Sequence, residues 1–282
     1  MGMQTLQDLI QKYKLSEKEH DAVLELLEKK LFSDRVVENN PSIMFVVGQP
    51  GCGKTTYINN QDLSQYVIIN SDDYRQLSKY SDEILDKYST SYAKLTNYDA
   101  HLWGDELFSY AMQNGYSVLR EKAPIDSSLL ELIKTIPDEY DVVLNVVVAG
   151  DLASLLSTRE RYEKEILKSN NAKLSNIESH NRCYTLLSDF ISRCLSLGVK
   201  VNYVVPFGKQ FKVISVGDDY LEVLQVLRKQ SNEYACLTYE KRMDNIKQCM
   251  MDRNASQEQF DELKKIENVY YEMINRNKKH KK

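Results

Sequence analysis

The sequence has no apolar run close to the roughly 20 residues that a membrane-spanning helix requires. Its opening stretch, MGMQTLQDLI, lacks the basic-then-apolar pattern of a secretory signal, and Leu6 stands where N-myristoylation needs Ser or Thr. The five cysteines are widely spaced and form no CxxC pair, which argues against a zinc site and against a disulfide scaffold. Together these absences predict a protein of the reducing cytoplasm that has no membrane partner.

An excess of positive charge is also missing. The chain of 282 residues carries a formal net charge of −4, so a nucleic acid is not expected as its main partner. The four histidines show no metal-ligand spacing, and the basic end NRNKKHKK is expected to be a solvated terminus. With 42% hydrophobic residues, the chain is long enough to bury the core of one large domain.

Hydrophobic periodicity divides the chain into three regions. Residues 1–40 predict a helical extension, which either packs on the domain behind it or serves as a regulatory or partner segment; Ser16 and Glu19 form a capping-box pattern there. Residues 41–216 alternate short apolar runs with amphipathic stretches, as expected for a single α/β domain. Residues 217–282 carry apolar residues at three- and four-residue steps and predict a second helical region.

The central region predicts a parallel sheet. Several of its apolar runs are continuous in Val, Ile and Leu, which is typical of parallel strands covered on both faces. Helical segments between the runs supply the crossovers, so we predict an α/β fold with a doubly wound parallel sheet flanked by helices. The predicted strands are Ile43–Val47, Tyr66–Asn70, Tyr116–Arg120, Val142–Val148, Val199–Val205 and Phe211–Ser215.

A phosphate-binding loop follows the first of these strands. GQPGCGKT fits the pattern G-x-x-x-x-G-K-[ST], in which glycines let successive backbone N–H groups point at a triphosphate. Lys54 would contact the β- and γ-phosphates and Thr55 would bind Mg²⁺, so we predict ATP or GTP with Mg²⁺. The predicted nucleotide-binding segment consists of Gly48, Gln49, Pro50, Gly51, Cys52, Gly53, Lys54, Thr55 and Thr56. Within it, the side chains of Cys52 and Thr56 are not expected to contact the nucleotide.

Carboxylates follow the second and third predicted strands. Asp72 comes just after the second strand, where open α/β sheets place ligand chemistry. A small-molecule kinase needs a carboxylate there to take the proton of the acceptor hydroxyl, and we favour this role for Asp72. The alternative is that Asp72 and Asp73 are an N-cap pair that starts the next helix. Arg75 is placed to clamp an anionic group of the substrate, and Glu121 ends the third strand at the same edge.

A basic segment follows the fourth predicted strand. Its cations bracket the polar stretch SNNAKLSN and are Arg159, Arg161, Lys164, Lys168 and Lys173. This pattern predicts a lid, a helix–loop–helix that closes over the nucleotide and neutralises the transferring charge. A solvated helix with charge pairs four residues apart, such as Glu160 with Lys164, is the alternative interpretation.

These motifs, in this order, resemble the zeta toxin family, kinases of bacterial toxin–antitoxin systems. The similarity runs from about Ile43 to Ser215 through GQPGCGKT, INSDDYR, NGYSVLRE, an ERYE segment and a later His-Asn pair. The resemblance implies that Asp72 is the catalytic base and that Lys54 and Thr55 contact phosphate and Mg²⁺. It also implies phosphorylation of UDP-N-acetylglucosamine by ATP or GTP, and an antitoxin as a partner.

The acceptor half of the resemblance departs from the family pattern. Four positions match substrate-binding or lid side chains of the family: Asp105, Glu121, Arg161 and Lys173. The family has glutamate at Asp105 and arginine at Lys173, and its I-E-G-T motif with a later arginine reads here REKAPID, with Ala123 and Ile125 at the altered positions. We therefore expect an ATP-dependent kinase with a nucleotide-sugar-like acceptor. The alternative is a P-loop ATPase, or a nucleotide-dependent interaction protein with a degenerate acceptor site.

Overall fold

The computed structural model describes residues 5–88, 91–122, 128–168, 174–208 and 210–279, without the side chains of residues 277–279. The strands are β1 (Ser42–Val47), β2 (Val67–Ile69), β3 (Val118–Lys122), β4 (Asp141–Val147), β5 (Lys200–Phe207) and β6 (Gln210–Val216). The helices are α1 (Leu6–Tyr13), α2 (Glu17–Phe32), α3 (Lys54–Asn59), α4 (Ser71–Tyr74), α5 (Ser81–Tyr88), α6 (Tyr92–Leu95), α7 (Asn97–Gln113), α8 (Ser128–Lys134), α9 (Asp151–Ile166), α10 (Ile177–Ser196), α11 (Tyr220–Asp252) and α12 (Gln257–Lys279).

The strands form one six-stranded, mostly parallel sheet flanked by helices, which confirms the predicted α/β class. Their order is β2-β3-β1-β4-β5-β6. Strands β2 and β3 are parallel, with Ile69 opposite Arg120. Strands β5 and β6 form an antiparallel hairpin at the edge of the sheet.

The third strand begins two residues later than predicted. The chain leaves α7 through Gly115, whose φ of 73° is the left-handed conformation that commonly ends a helix. The N–H of Tyr116 still donates to the carbonyl of Ala111 at 3.0 Å, so Tyr116 belongs to the helix end. The strand therefore starts at Val118, and it extends past Arg120 to Lys122.

The described residues divide into two compact units, each assembled from separate stretches of chain. The first unit is built from residues 1–45, 62–121 and 135–143 and contains α1, α2 and α4 to α7. Ser16 and Glu19 make the predicted capping box at the start of α2. The pair α1 and α2 packs on α6 and α7, as the packing interpretation of residues 1–40 expected.

A buried polar cluster joins α2 to α7 in the first unit. His20 is 6% exposed, and its Nδ1 and Nε2 lie 3.0 and 2.9 Å from carboxylate oxygens of Asp99 and Glu106. The indole N–H of Trp103 donates to the His20 carbonyl at 3.1 Å, and the two rings stack. These bonds hold α2 in one register on α7, because a buried polar group must keep its partners.

The second unit contains the loop after β1, the helices α3 and α8 to α12, and the hairpin of β5 and β6. Helices α11 and α12 pack along α9. The apolar cluster between them consists of Leu152, Leu155, Leu156, Ala235, Tyr239, Met243, Ile246, Met250, Leu263 and Ile266, all buried. No helix among the described residues has the length and apolar character needed to cross a bilayer.

Candidate active site

The loop of residues 48–55, the P-loop, lies between β1 and α3 in the second unit. Positive φ angles of 151°, 79° and 103° at Gly48, Gly51 and Gly53 turn the backbone back on itself. The ammonium of Lys54 donates to the carbonyl of Gly48 at 2.9 Å, so it lies across the loop. Backbone N–H groups of a curled loop, together with a lysine ammonium, are the hydrogen-bond donors that bind a nucleoside triphosphate. Thr55, the next residue, is exposed and carries a hydroxyl.

The inner side of the P-loop is anchored to α9 and α10. The Gln49 side chain is fully buried and donates to the Ala149 carbonyl at 2.9 Å and to Ser154 Oγ at 3.3 Å. Ser154 Oγ in turn lies 2.7 Å from Nε2 of His180, which is 1% exposed, and burial lowers the pKa of His180. Gln49 was predicted to bind the nucleotide, but its side chain serves as a loop anchor, and Cys52 is likewise buried.

Gly51 allows the closest approach between the P-loop and α9. A Cβ at this position would lie 2.1 Å from the Ser154 carbonyl and 2.3 Å from Thr158 Oγ1. We expect Gly51→Ala to lower the free energy of unfolding by more than Gly53→Ala. Both variants strain a left-handed residue, at about 1–3 kcal/mol, but a Cβ on Gly53 meets nothing within 4 Å. Urea unfolding measures the difference, and equal losses would contradict the contact.

Asp72 lies in the first turn of α4, just after β2, in the first unit. The helix cap is Asn70, whose side-chain oxygen accepts from the Asp72 N–H at 3.2 Å. Capping is therefore not the role of the Asp72 carboxylate, whose side chain is 60% exposed. An exposed carboxylate directly after a buried strand has the position that a proton acceptor for a bound hydroxyl requires.

Arg75 fixes that carboxylate from the protein side. Its side chain is 9% exposed, and its Nε donates to Asp72 Oδ1 at 2.7 Å. The two terminal nitrogens donate to the Ala93 carbonyl at 2.8 Å and to Asn97 Oδ1 at 2.9 Å. Arg75 was predicted to clamp an anion on the substrate, but in this geometry its donors are directed at protein groups. It is better described as a positioning residue for Asp72.

Asp105 is paired with a residue that the sequence interpretation missed. It lies on α7 with a side chain 60% exposed, and it accepts a hydrogen bond from Nη2 of Arg120, which is 1% exposed. Arg120 sits in β3 opposite the last residue of β2. The signal in the sequence was a charged residue directly after the apolar run YSVL. Glu121 follows it and is half-buried.

The predicted lid cations occupy different environments. Arg159 is 3% exposed and its Nε lies 3.0 Å from Glu163, so its assignment as a lid cation is wrong. Glu160 binds Arg242 through two hydrogen bonds of 2.8 and 2.7 Å, which replaces the predicted pair with Lys164. Arg161 is half-exposed, 3.8 Å from Glu165.

Part of the predicted machinery lies outside the described residues. Lys173 falls there, and so do Ala123 and Ile125 of the altered acceptor motif. Within the described residues, no group of three or more His, Cys, Asp or Glu side chains is arranged to hold a metal ion. Thr55 therefore remains the predicted Mg²⁺ contact of the protein, together with the phosphates of a nucleotide.

A strand leading into a P-loop, within a mostly parallel sheet flanked by helices, defines a protein of the P-loop class. The family model described as "Zeta toxin" matches residues 26–205, more than half of the chain. The chain belongs to the zeta toxin family.

Individual relatives agree with this assignment. A curated protein named "Toxin zeta" from Streptococcus agalactiae is 26% identical over 157 residues, which are 52% of this chain and 53% of the relative. The chain thus matches about half the length of that relative.

Solved structures show a similar fold. A chain from the PezAT chromosomal toxin–antitoxin system of Streptococcus pneumoniae aligns with a TM-score of 0.68 and 21% identity, covering 83% of this chain and 98% of that one. The AvrRxo1-ORF1:ORF2 complex with ATP aligns with a TM-score of 0.50 and 13% identity, covering 76% of this chain and 72% of that one.

Proposed function

We propose that this protein is a toxin that transfers the γ-phosphoryl group of ATP to a hydroxyl of a nucleotide-sugar-like acceptor, the class of compound to which the UDP-N-acetylglucosamine of the family resemblance belongs. The observation that carries the proposal is Asp72, an exposed carboxylate held by the buried Arg75, in a chain that also carries a P-loop. Family membership supports kinase chemistry. The proposal includes Mg²⁺ as cofactor, a cytoplasmic location and an antitoxin as partner.

In the proposed reaction, backbone N–H groups of the P-loop and Lys54 bind the phosphates, and Thr55 contributes its hydroxyl to Mg²⁺. Asp72 accepts the proton of the acceptor hydroxyl, whose oxygen attacks the γ-phosphorus. The bond between the γ-phosphorus and the oxygen bridging to the β-phosphate breaks, and ADP leaves. Arg161 and Lys173 neutralise charge on the transferring group. Glu121 and Asp105 hold the acceptor, Asp105 after it has released Arg120.

Transfer from γ-labelled ATP to UDP-N-acetylglucosamine, followed by mass spectrometry of the product, tests the proposal. We expect Lys54→Ala to weaken ATP binding and to lower transfer by about 10²–10³-fold, because one cation on the developing charge is lost. Lys229→Ala is the matched control, since Lys229 is 76% exposed and its nearest carboxylate oxygen, on Glu233, is 3.9 Å away.

Two results would refute the proposed function. ATP hydrolysis that no hydroxyl compound alters would indicate a P-loop ATPase. Tight ATP binding with neither transfer nor hydrolysis would indicate an interaction protein whose acceptor site is degenerate.

A further inference from the structure

Arg120 is a buried charge at the acceptor side of the first unit. It lies opposite Ile69, at the end of β2, and the chain continues from there into α4 and Asp72. The centre of its guanidinium is 5.2 Å from the Phe108 ring centroid, so an aromatic face covers part of it. Gly104 on α7 has no side chain that would separate it from Ser71 and Arg120. A Cβ at this position would lie 2.2 Å from Ser71 Oγ and 3.5 Å from Arg120 Nη2. Helices α4 and α7 therefore meet closely beside the guanidinium.

Most of the hydrogen-bonding capacity of Arg120 is unused. Its Nη2 donates to Asp105, whereas Nε and Nη1 are buried and find no acceptor among the described residues. A buried donor without an acceptor costs about 1–3 kcal/mol, and more when it is charged. A ligand whose oxygens accept hydrogen bonds from Arg120 would therefore stabilise this guanidinium.

The resting partner of Arg120 indicates which ligand that is. Asp105 accepts a single hydrogen bond, from Nη2 of Arg120. A planar guanidinium can donate two parallel hydrogen bonds to one carboxylate. The Asp105 side chain is 60% exposed, so its carboxylate can return to water with little loss of solvation. A carboxylate of the ligand would take the place of the Asp105 carboxylate at Nη2. It would also accept a hydrogen bond from a second guanidinium nitrogen, which has no acceptor in the resting structure. The exchange keeps the buried positive charge neutralised throughout.

We propose that Arg120 binds a carboxylate of the phosphoryl acceptor in exchange for Asp105. This inference rests on the proposed function, and it narrows the acceptor to hydroxyl compounds that carry a carboxylate near the reacting sugar. Arg120 is then the specificity-determining residue of the acceptor site.

Calorimetric binding in the absence of ATP tests the exchange. The two ligands are UDP-N-acetylglucosamine and its uronic acid, in which a carboxylate replaces the C6 hydroxymethyl group. We expect the wild type to bind the uronic acid about 10- to 100-fold more tightly, the range of a charge-assisted hydrogen bond. In Arg120→Met the ratio of the two affinities falls to about one. In Asp105→Asn the preference increases, because the competing carboxylate is gone.

The controls separate this role from a structural one. Arg193→Met, at an exposed ion pair with Asp189, keeps the wild-type ratio. Asp105→Asn changes an exposed side chain, so the inference remains testable if Arg120→Met fails to fold. A wild type without a preference for the uronic acid, including one that binds neither ligand, overturns the inference, and so does weaker uronic acid binding by Asp105→Asn. Loss of transfer from ATP with the preference intact refutes the kinase proposal alone.

Discussion

Asp72→Asn is expected to lower phosphoryl transfer by about 10²–10⁴-fold, the usual contribution of a positioned general base. The amide oxygen of asparagine can still accept the hydrogen bond that Arg75 Nε makes to Asp72 Oδ1 at 2.7 Å, so the local structure is retained. What the variant loses is the ability to take a proton. Binding of ATP is expected to change little, because Asp72 lies outside the P-loop. Single-turnover transfer and nucleotide titration measure the two quantities separately.

The adjacent Asp73→Asn is the matched control for this variant. Asp73 is in the same helical turn, and burial raises the pKa of Asp73, yet no hydrogen bond from Arg75 to it is found among the described residues. We expect it to keep the wild-type rate of transfer. An undiminished rate in Asp72→Asn, or an equal loss in both variants, would rule out Asp72 as the base.

Arg253→Ala is expected to lower the free energy of unfolding by about 3–5 kcal/mol, the range found when one partner of a buried ion pair is removed. Glu163 on α9 is 1% exposed and accepts from Arg253 Nε at 2.6 Å and from Nη2 at 3.0 Å. Arg253 follows α11 and also donates to Gln259 on α12 at 2.9 Å. Removing it leaves Glu163 with only the neighbouring Arg159, whose nearest contact is 3.0 Å away.

Urea unfolding followed by circular dichroism measures the loss. Arg276→Ala is the control. Arg276 pairs with Glu272 at 3.5 Å, and the two side chains are 76% and 67% exposed. Exposed pairs of this kind contribute below about 0.5 kcal/mol. A loss under about 1 kcal/mol for Arg253→Ala would show that water reaches Glu163 and that the network is not buried.

The sheet and the P-loop were predictable because each depends on local patterns. Short apolar runs marked all six strands, and their observed ends lie within about two residues of prediction, the usual uncertainty of such boundaries. The motif GQPGCGKT placed the loop correctly between β1 and α3. The antiparallel pairing of β5 with β6 was not predicted, because the apolar runs locate strands but do not state which strands pair or in which direction.

The roles of individual charged side chains were less predictable, because they depend on residues distant in sequence. Arg75 looked like a substrate clamp, yet its terminal nitrogens donate to Ala93 on α6 and to Asn97 at the start of α7. Arg159 looked like a lid cation, yet α11 and α12 bury the face of α9 on which it lies. Periodicity identifies an apolar face but not the polar residues that its partner helix contributes.

The packing of α11 and α12 on α9 limits how the chain can be shortened. A truncation after residue 216 would remove the helices that cover Leu152, Leu155 and Leu156, and it would leave Glu163 without Arg253. The exposed stripe would favour self-association of the shortened chain. Proteolytic loss of the carboxyl-terminal helices is therefore expected to remove the protein by aggregation rather than to release a smaller folded form.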